Sequence, residues 1–122
     1  MKISKDIQAC LTKVEQGLDK GLQPVLSSEG TSGSYIMRSG QDESPVAVFK
    51  PIDEEPFAPN NPRGMQANFG SETCRPGVKS GESTLREAYA YMLDHDNFAG
   101  VPPTCLVRLT HESIPQKPVD SL

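Results

Sequence analysis

The sequence predicts an α+β fold: a small antiparallel sheet packed with one or two helices and carrying a long irregular insertion. Three observations lead there. Apolar residues recur at helical spacing at Ile3, Ile7, Leu11, Val14 and Leu18, and again at Leu85, Ala88, Tyr89, Met92 and Leu93. Between these two stripes lie short strand-like runs at 34–37 and 46–49, joined by the polar turn 39–44. From 51 to 79 neither period holds, and Pro51, Pro56, Pro59, Pro62 and Pro76 alternate with Gly64, Gly70 and Gly77. At 122 residues the chain is at most one domain, and a chain this small buries a modest share of its surface.

The elements follow in order. The first helix is expected within 1–21, with Ser4 as N-cap, Asp6 in the first turn and Gly21 as its stop. Lys2, Lys5, Lys13 and Lys20 give it a partly basic outer side. Asp6, Glu15 and Asp19 dilute that charge, which favours a helix packed on the domain over one lying on a membrane. Residues 23–26 form a short strand, and Pro24 places it at a sheet edge or strand start. Next comes the glycine-bearing turn, then the hairpin. Alternation puts Val46, Val48 and Lys50 on one face of its second strand, and Ala47 and Phe49 on the other. Residues 51–79 read as one long loop with short helical turns. Ser80 or Ser83 caps the second helix, whose stripe is expected to pack on the sheet and which ends near 94–97. A fourth strand is expected at 104–110, after Pro102-Pro103, and residues 112–122 form a polar tail.

The chemistry concentrates at the hairpin. A lysine ending an apolar strand needs a partner for its charge. Gly30, Thr31, Ser32, Gly33 and Ser34 supply backbone N–H groups and hydroxyls that can meet an anion such as a phosphate. The alternative is a surface turn beside a lysine that snorkels into water, because neither G-x-x-x-x-G-K-[ST] nor G-x-G-x-x-G is present. Elsewhere the readings are plainer. Asp53, Glu54 and Glu55 suit a solvated acidic face better than a metal site. Arg63 and Arg75 offer a loose match to lipid headgroups. Asp94, His95 and Asp96 end a helix without a nucleophile, and His111 has no partner visible in the sequence. Cys10, Cys74 and Cys105 are odd in number and form no C-x-x-C, so neither a zinc site nor a disulfide framework is indicated, and a reducing, cytoplasmic setting fits best. A net charge of −4 argues against nucleic acid as a partner, and no transmembrane segment or signal peptide is visible.

The segments EGTSGSYIMR, VAVFKPIDEEPF, APNNPRG, LREAYAYMLDHDNFAGVPPT and LVRLTH, in that order, resemble the phosphatidylinositol 4-kinases of the type II and plant gamma group, from about 21 to 111. The resemblance implies a protein-kinase-like fold, with 1–122 as its N-terminal lobe and the C-terminal lobe absent. It implies ATP-dependent phosphoryl transfer to phosphatidylinositol at a membrane surface, by a cytoplasmic protein that meets the membrane peripherally. Gly30, Thr31, Ser32, Gly33 and Ser34 become the nucleotide loop. Val48 joins the ATP site, and Lys50 is the phosphate-pairing lysine. Glu87 matches the glutamate that orients that lysine. The helical wheel alone does not choose between Glu87 and Glu82. The family's catalytic aspartate and its Mg2+ ligands are expected in the C-terminal lobe, so no catalytic or metal residue is assigned here. The family's animal type II members carry a cysteine cluster for palmitoylation where this chain has Cys74 alone. Two alternatives stand beside this reading: a protein serine/threonine kinase on the same scaffold, and a non-catalytic binding fragment that uses 51–79 for contacts.

Overall fold

The computed structural model describes residues 4–114. The first helix, α1, spans Lys5–Asp19. Three strands follow: β1 (Val25–Leu26), β2 (Tyr35–Arg38) and β3 (Pro45–Phe49). The second helix, α2, spans Ser83–Leu93, and single 3-10 turns occupy Ile52–Glu54 and His95–Asn97. The chain is α+β, with a three-stranded antiparallel sheet in the order β1-β2-β3.

α1 is closed at both ends as its sequence prescribes. Ser4 caps it, its side chain accepting from the Ile7 N–H at 3.2 Å. At the other end Gly21, at φ 85°, donates to Leu18 O, and Leu22 donates to Gly17 O, which is the paired closure of a Schellman motif. Ile7, Val14, Gly17 and Leu18 are buried and Leu11 is half-buried, while Ile3 lies outside the described residues. The helix lies across the sheet. Val14, Leu18 and Met37 form the core, with Cys10, Tyr35, Ala47, Phe49, Leu109 and Ile114 around them.

The register places Val25, Ile36 and Val48 side by side on the face turned away from that core. Val48 is 60% exposed there, and Val25 is 49% exposed. Val46 departs from the simple alternation. The pairing shifts between Met37 and Arg38, so that Met37 faces Ala47 while Arg38 faces Pro45. Val46 is the extra residue of a β-bulge, and the bulge turns its side chain to the core beside Ala47 and Phe49.

Two expectations fail. Residues 104–110 form no strand. A strand is defined by a ladder partner, and none of the three strands pairs with this segment; it contributes Leu109 to the core instead. The stripe of α2 does not pack on the sheet either. Only Ala88 of it is buried, and Leu85, Tyr89, Met92 and Leu93 are 40%, 53%, 52% and 74% exposed. α2 has no extensive contact with any strand, and polar links hold it instead.

α1 meets the hairpin through glycine. A Cβ on Gly17 would fall inside the van der Waals radius of the Arg38 carbonyl oxygen, and one on Gly40 would strike the backbone of Gln16 and Gly17. Gly17→Ala is therefore expected to destabilise the fold by up to roughly 2 kcal/mol. Helix propensity favours the alanine by about 1 kcal/mol, but overpacking against main chain that cannot swing aside costs about 1–3 kcal/mol. Thermal unfolding checks this, and a raised melting temperature would refute the close approach.

Candidate functional site

β3 puts Val48 on the open face of the sheet and is followed directly by Lys50. The Lys50 Nζ stands 3.0 and 3.2 Å from the two carboxylate oxygens of Glu87 on α2, donating to both. The side chains are 44% and 49% exposed. An ion pair that wet adds at most about 1 kcal/mol to stability. Its consequence is orientation: the ammonium is held beside the open sheet face, near Val48. Glu82, the other glutamate of the segment, bridges Arg86 at 3.5 Å and accepts from the Lys79 N–H.

α2 is aimed by a residue outside it. Neither Ser80 nor Ser83 caps it; the N-cap position is Glu82, which makes no side-chain capping bond. The carboxylate of Glu55 does the capping across the fold. It accepts from the N–H groups of Gly81 at 3.0 Å, Ser83 at 3.2 Å and Thr84 at 3.1 Å, and from the Thr84 hydroxyl at 2.8 Å. An anion at these unpaired N–H groups also meets the positive end of the helix dipole. Ser80 is buried and donates to Asn68 O.

The glycine-bearing loop is fastened just as firmly. Gly33 is buried, its N–H donates to Glu54 O at 2.9 Å, and a Cβ there would overlap the Glu54 side chain. The Tyr35 hydroxyl donates to the Glu54 carboxylate. Asn61, 1% exposed, donates to Thr31 O at 2.7 Å and to the carbonyls of Glu54 and Glu55. Arg63 donates to Ser32 O at 3.0 Å, Ser27 O at 2.5 Å and Glu29 O at 3.0 Å. Gly30, Thr31, Ser32, Gly33 and Ser34 thus sit in a turn braced by the insertion, beside the β2–β3 sheet. Gly30 and Thr31 are exposed, and Ser32 and Ser34 are half-buried.

The insertion corrects two further expectations. Glu54 and Glu55 form no solvated face: they are 5% and 4% exposed, and each is hydrogen-bonded. Asp53 accepts from Asn60. Three adjacent carboxylates directed at three different donor sets do not converge on a cation. Among the described residues no group of three or more His, Cys, Asp or Glu side chains is placed to hold a metal ion, so these residues do not fit a magnesium site. Arg63 turns to the main chain rather than outward to a headgroup.

The remaining candidates are structural. Asp94 accepts from Ala99 at 2.8 Å and Val101 at 3.0 Å, and these N–H groups hold its carboxyl below the usual carboxylate range. Its neighbours Asp96 and Asn97 have positive φ, so Asp94, His95 and Asp96 make a turn. His111 has a partner after all: Nε2 lies 2.8 Å from Asp19, while Nδ1 accepts from the Ser113 N–H. With Nδ1 accepting, the proton is on Nε2 and points at the carboxylate. Burial pushes the Cys105 thiol up, with Cys10 adding to it, and all three cysteines are free. A recess of about 510 Å³ beyond the C-terminal end of α2, lined by Tyr91, Asp94, Val101 and Thr104 among others, includes none of the predicted site residues. Among the described residues no helix is long and apolar enough to cross a membrane.

Sequence reasoning named Lys50, Glu87 and the loop as site residues, read Glu54 and Glu55 as a solvated face and Arg63 as a headgroup contact, and gave Asn61 no role. For Asn61 and Arg63 the only signal is chemical: irregular backbone leaves carbonyls without ladder partners, and Asn and Arg are side chains that can satisfy several at once.

The chain is 42% identical to phosphatidylinositol 4-kinase gamma 4 of Oryza sativa subsp. japonica over 132 residues, covering all of this chain and 23% of that protein. It is 41% identical to phosphatidylinositol 4-kinase gamma 4 of Arabidopsis thaliana over 122 residues, covering 90% of this chain and 22% of the relative. Phosphatidylinositol 4-kinase gamma 7 of Arabidopsis thaliana is 45% identical over 102 residues, 80% of this chain and 15% of the relative. The chain thus spans less than a quarter of the length of these curated relatives. No model of a known protein family matches the chain. No solved structure matches it.

Proposed function

We propose that this chain is the nucleotide-binding part of an enzyme that transfers the γ-phosphate of ATP to phosphatidylinositol, built as the N-terminal lobe of a kinase-like fold. The observation that carries this is the Lys50–Glu87 pair, with Lys50 directly after Phe49, which pairs with Tyr35 at the end of the glycine loop. The likeness to plant proteins named phosphatidylinositol 4-kinase gamma supports it. The parts divide the work. The exposed apolar face around Val48 receives the adenine, the loop from Gly30 to Ser34 meets the phosphates, and Lys50 sets a point charge against them. Glu87 keeps that charge in place without neutralising it at the far side. Phosphoryl transfer is mostly positioning and charge stabilisation, so these residues act without covalent chemistry. A metal that accompanies the nucleotide needs carboxylates that the described residues do not assemble.

Titration of ATP with magnesium into the 122-residue chain tests the reading. Each contact on this one wall stays wet and is worth about 1 kcal/mol. The dissociation constant is therefore expected in the millimolar range or weaker, about −4 kcal/mol at most. Amide shifts should cluster at Gly30, Thr31, Ser32, Gly33, Ser34, Val48 and Lys50, and should shrink in Lys50→Met. With labelled ATP and phosphatidylinositol vesicles, the chain by itself should leave the lipid unmodified. Shifts elsewhere, or shifts indifferent to Lys50, would exclude the site. Lipid phosphorylation that disappears in Lys50→Met would place the remaining catalytic groups within these 122 residues.

A further inference from the structure

We infer that Arg63, assisted by Asn61, is the positioning residue of the 27–33 loop: it grips the loop's carbonyls from behind and so turns the N–H groups of Ser28, Gly30 and Ser32 toward a phosphate-bearing ligand. The inference rests on the phosphate-loop reading above and adds the device that sets the loop's shape. Four of the loop's carbonyls are captured. Ser27, Glu29 and Ser32 accept from Arg63, and Thr31 accepts from Asn61. No peptide in the described residues is cis, and in a trans peptide the C=O and the N–H of the same plane point in opposite directions. Pinning the carbonyls of 27, 29, 31 and 32 therefore fixes the N–H groups of Ser28, Gly30, Ser32 and Gly33 away from the Arg63 and Asn61 donors. Gly33 uses its N–H on Glu54 O. Those of Ser28, Gly30 and Ser32 have no partner among the described residues. Unbonded backbone N–H groups gathered in one turn can serve as donors to an anion.

The donor chemistry explains why the residue is arginine. Its Nε and Nη2 reach three carbonyls from one planar group, which a lysine ammonium on a flexible stem cannot reproduce in the same geometry. Asn61 anchors the arginine in turn, because its Oδ1 accepts from the Arg63 N–H at 3.0 Å while its Nδ2 holds Thr31 O. The role differs from that of a ligand-contacting cation. Arg63 acts through the loop, and the loop meets the ligand.

Arg63→Lys separates the two roles, since it keeps the charge and loses the fork. Inorganic tripolyphosphate is titrated into the wild-type chain and the variant, followed by the amide resonances of Ser28, Gly30 and Ser32. In the wild type these resonances should move together and saturate. In Arg63→Lys, affinity should fall at least about fivefold, with the folded core still reported by the Val14, Leu18 and Met37 signals. Equal affinity in a folded Arg63→Lys would overturn the positioning role and leave the phosphate loop standing. Wild-type loop amides that do not respond would overturn the phosphate loop itself. A measurement on the wild type alone guards against an unfolded variant. The hydrogen-bond coupling from Arg63 Nε–H to the Ser32 carbonyl should persist in the tripolyphosphate-bound state. Its loss on binding would mean that Arg63 leaves the loop for the anion, which contradicts the inference.

Discussion

Lys50→Met is expected to lower turnover at least ~100-fold in a full-length kinase domain that contains this segment, a loss of about 2.7 kcal/mol in transition-state stabilisation. The fold should persist. The methionine keeps the apolar stem, and the lost ion pair is about half exposed on each side, so it contributes little to stability. Glu87→Gln should lower turnover less than Lys50→Met but far more than Glu82→Gln, because Glu82 contacts Arg86 and the Lys79 N–H and never reaches the lysine. Combining Lys50→Met with Glu87→Gln should add little to the lysine change alone, as for any two residues acting as one unit. Steady-state kinetics on the four variants checks the set. Small and equal effects of the two glutamates would show that the observed pair has no part in phosphoryl transfer.

Where local chemistry sets the outcome, the sequence was a good guide. The Ser4 cap, the Gly21 stop and the apolar period of α1 are all realised within a turn of the helix. The β2–β3 hairpin follows from two alternating runs and a polar turn, and only the bulge at Val46 is unannounced, since no residue type marks it. What failed depended on partners. Periodicity shows that 104–110 and α2 each have an apolar side, but it cannot say what lies against that side. Neither segment meets the sheet as expected. The insertion was the least legible part for a different reason. Its order comes from side chains bonding to distant main chain: Glu55 to 81–84, Asn61 to 31, Arg63 to 27, 29 and 32. Such bonds have no period. Acidic residues beside prolines look like solvated surface until the N–H groups that need them are in view. The same gap explains why Glu87 was reached through a resemblance rather than through the helical wheel: its orientation is set from outside the helix, by Glu55.

That dependence gives the second large effect. Glu55→Ala is expected to release α2, at a cost of about 2–4 kcal/mol, because bonds to a charged acceptor are worth about 1.5–3 kcal/mol each and do not add fully. The carboxylate is 4% exposed and holds three N–H groups and a hydroxyl at the start of a helix that lies 26 to 29 positions away in sequence. Apolar burial cannot replace it. Ala88 is the one buried residue of α2, and an isolated helix of 11 residues is marginal in water. The α1–sheet unit should survive, since its core of Val14, Leu18 and Met37 includes no residue of α2. Hydrogen exchange distinguishes the two regions. In Glu55→Ala the amides of 84–93 should lose protection while those of Val14 and Leu18 keep theirs. Glu55→Gln should fall between, because the amide retains one acceptor oxygen but turns an N–H donor toward the N–H groups of the helix. The consequence for the site follows directly. With α2 loose, Glu87 no longer holds Lys50, and turnover in the full-length domain should fall with α2 protection, along the same order of variants. Wild-type protection of α2 in Glu55→Ala would show that Glu55 is not what keeps the helix in place.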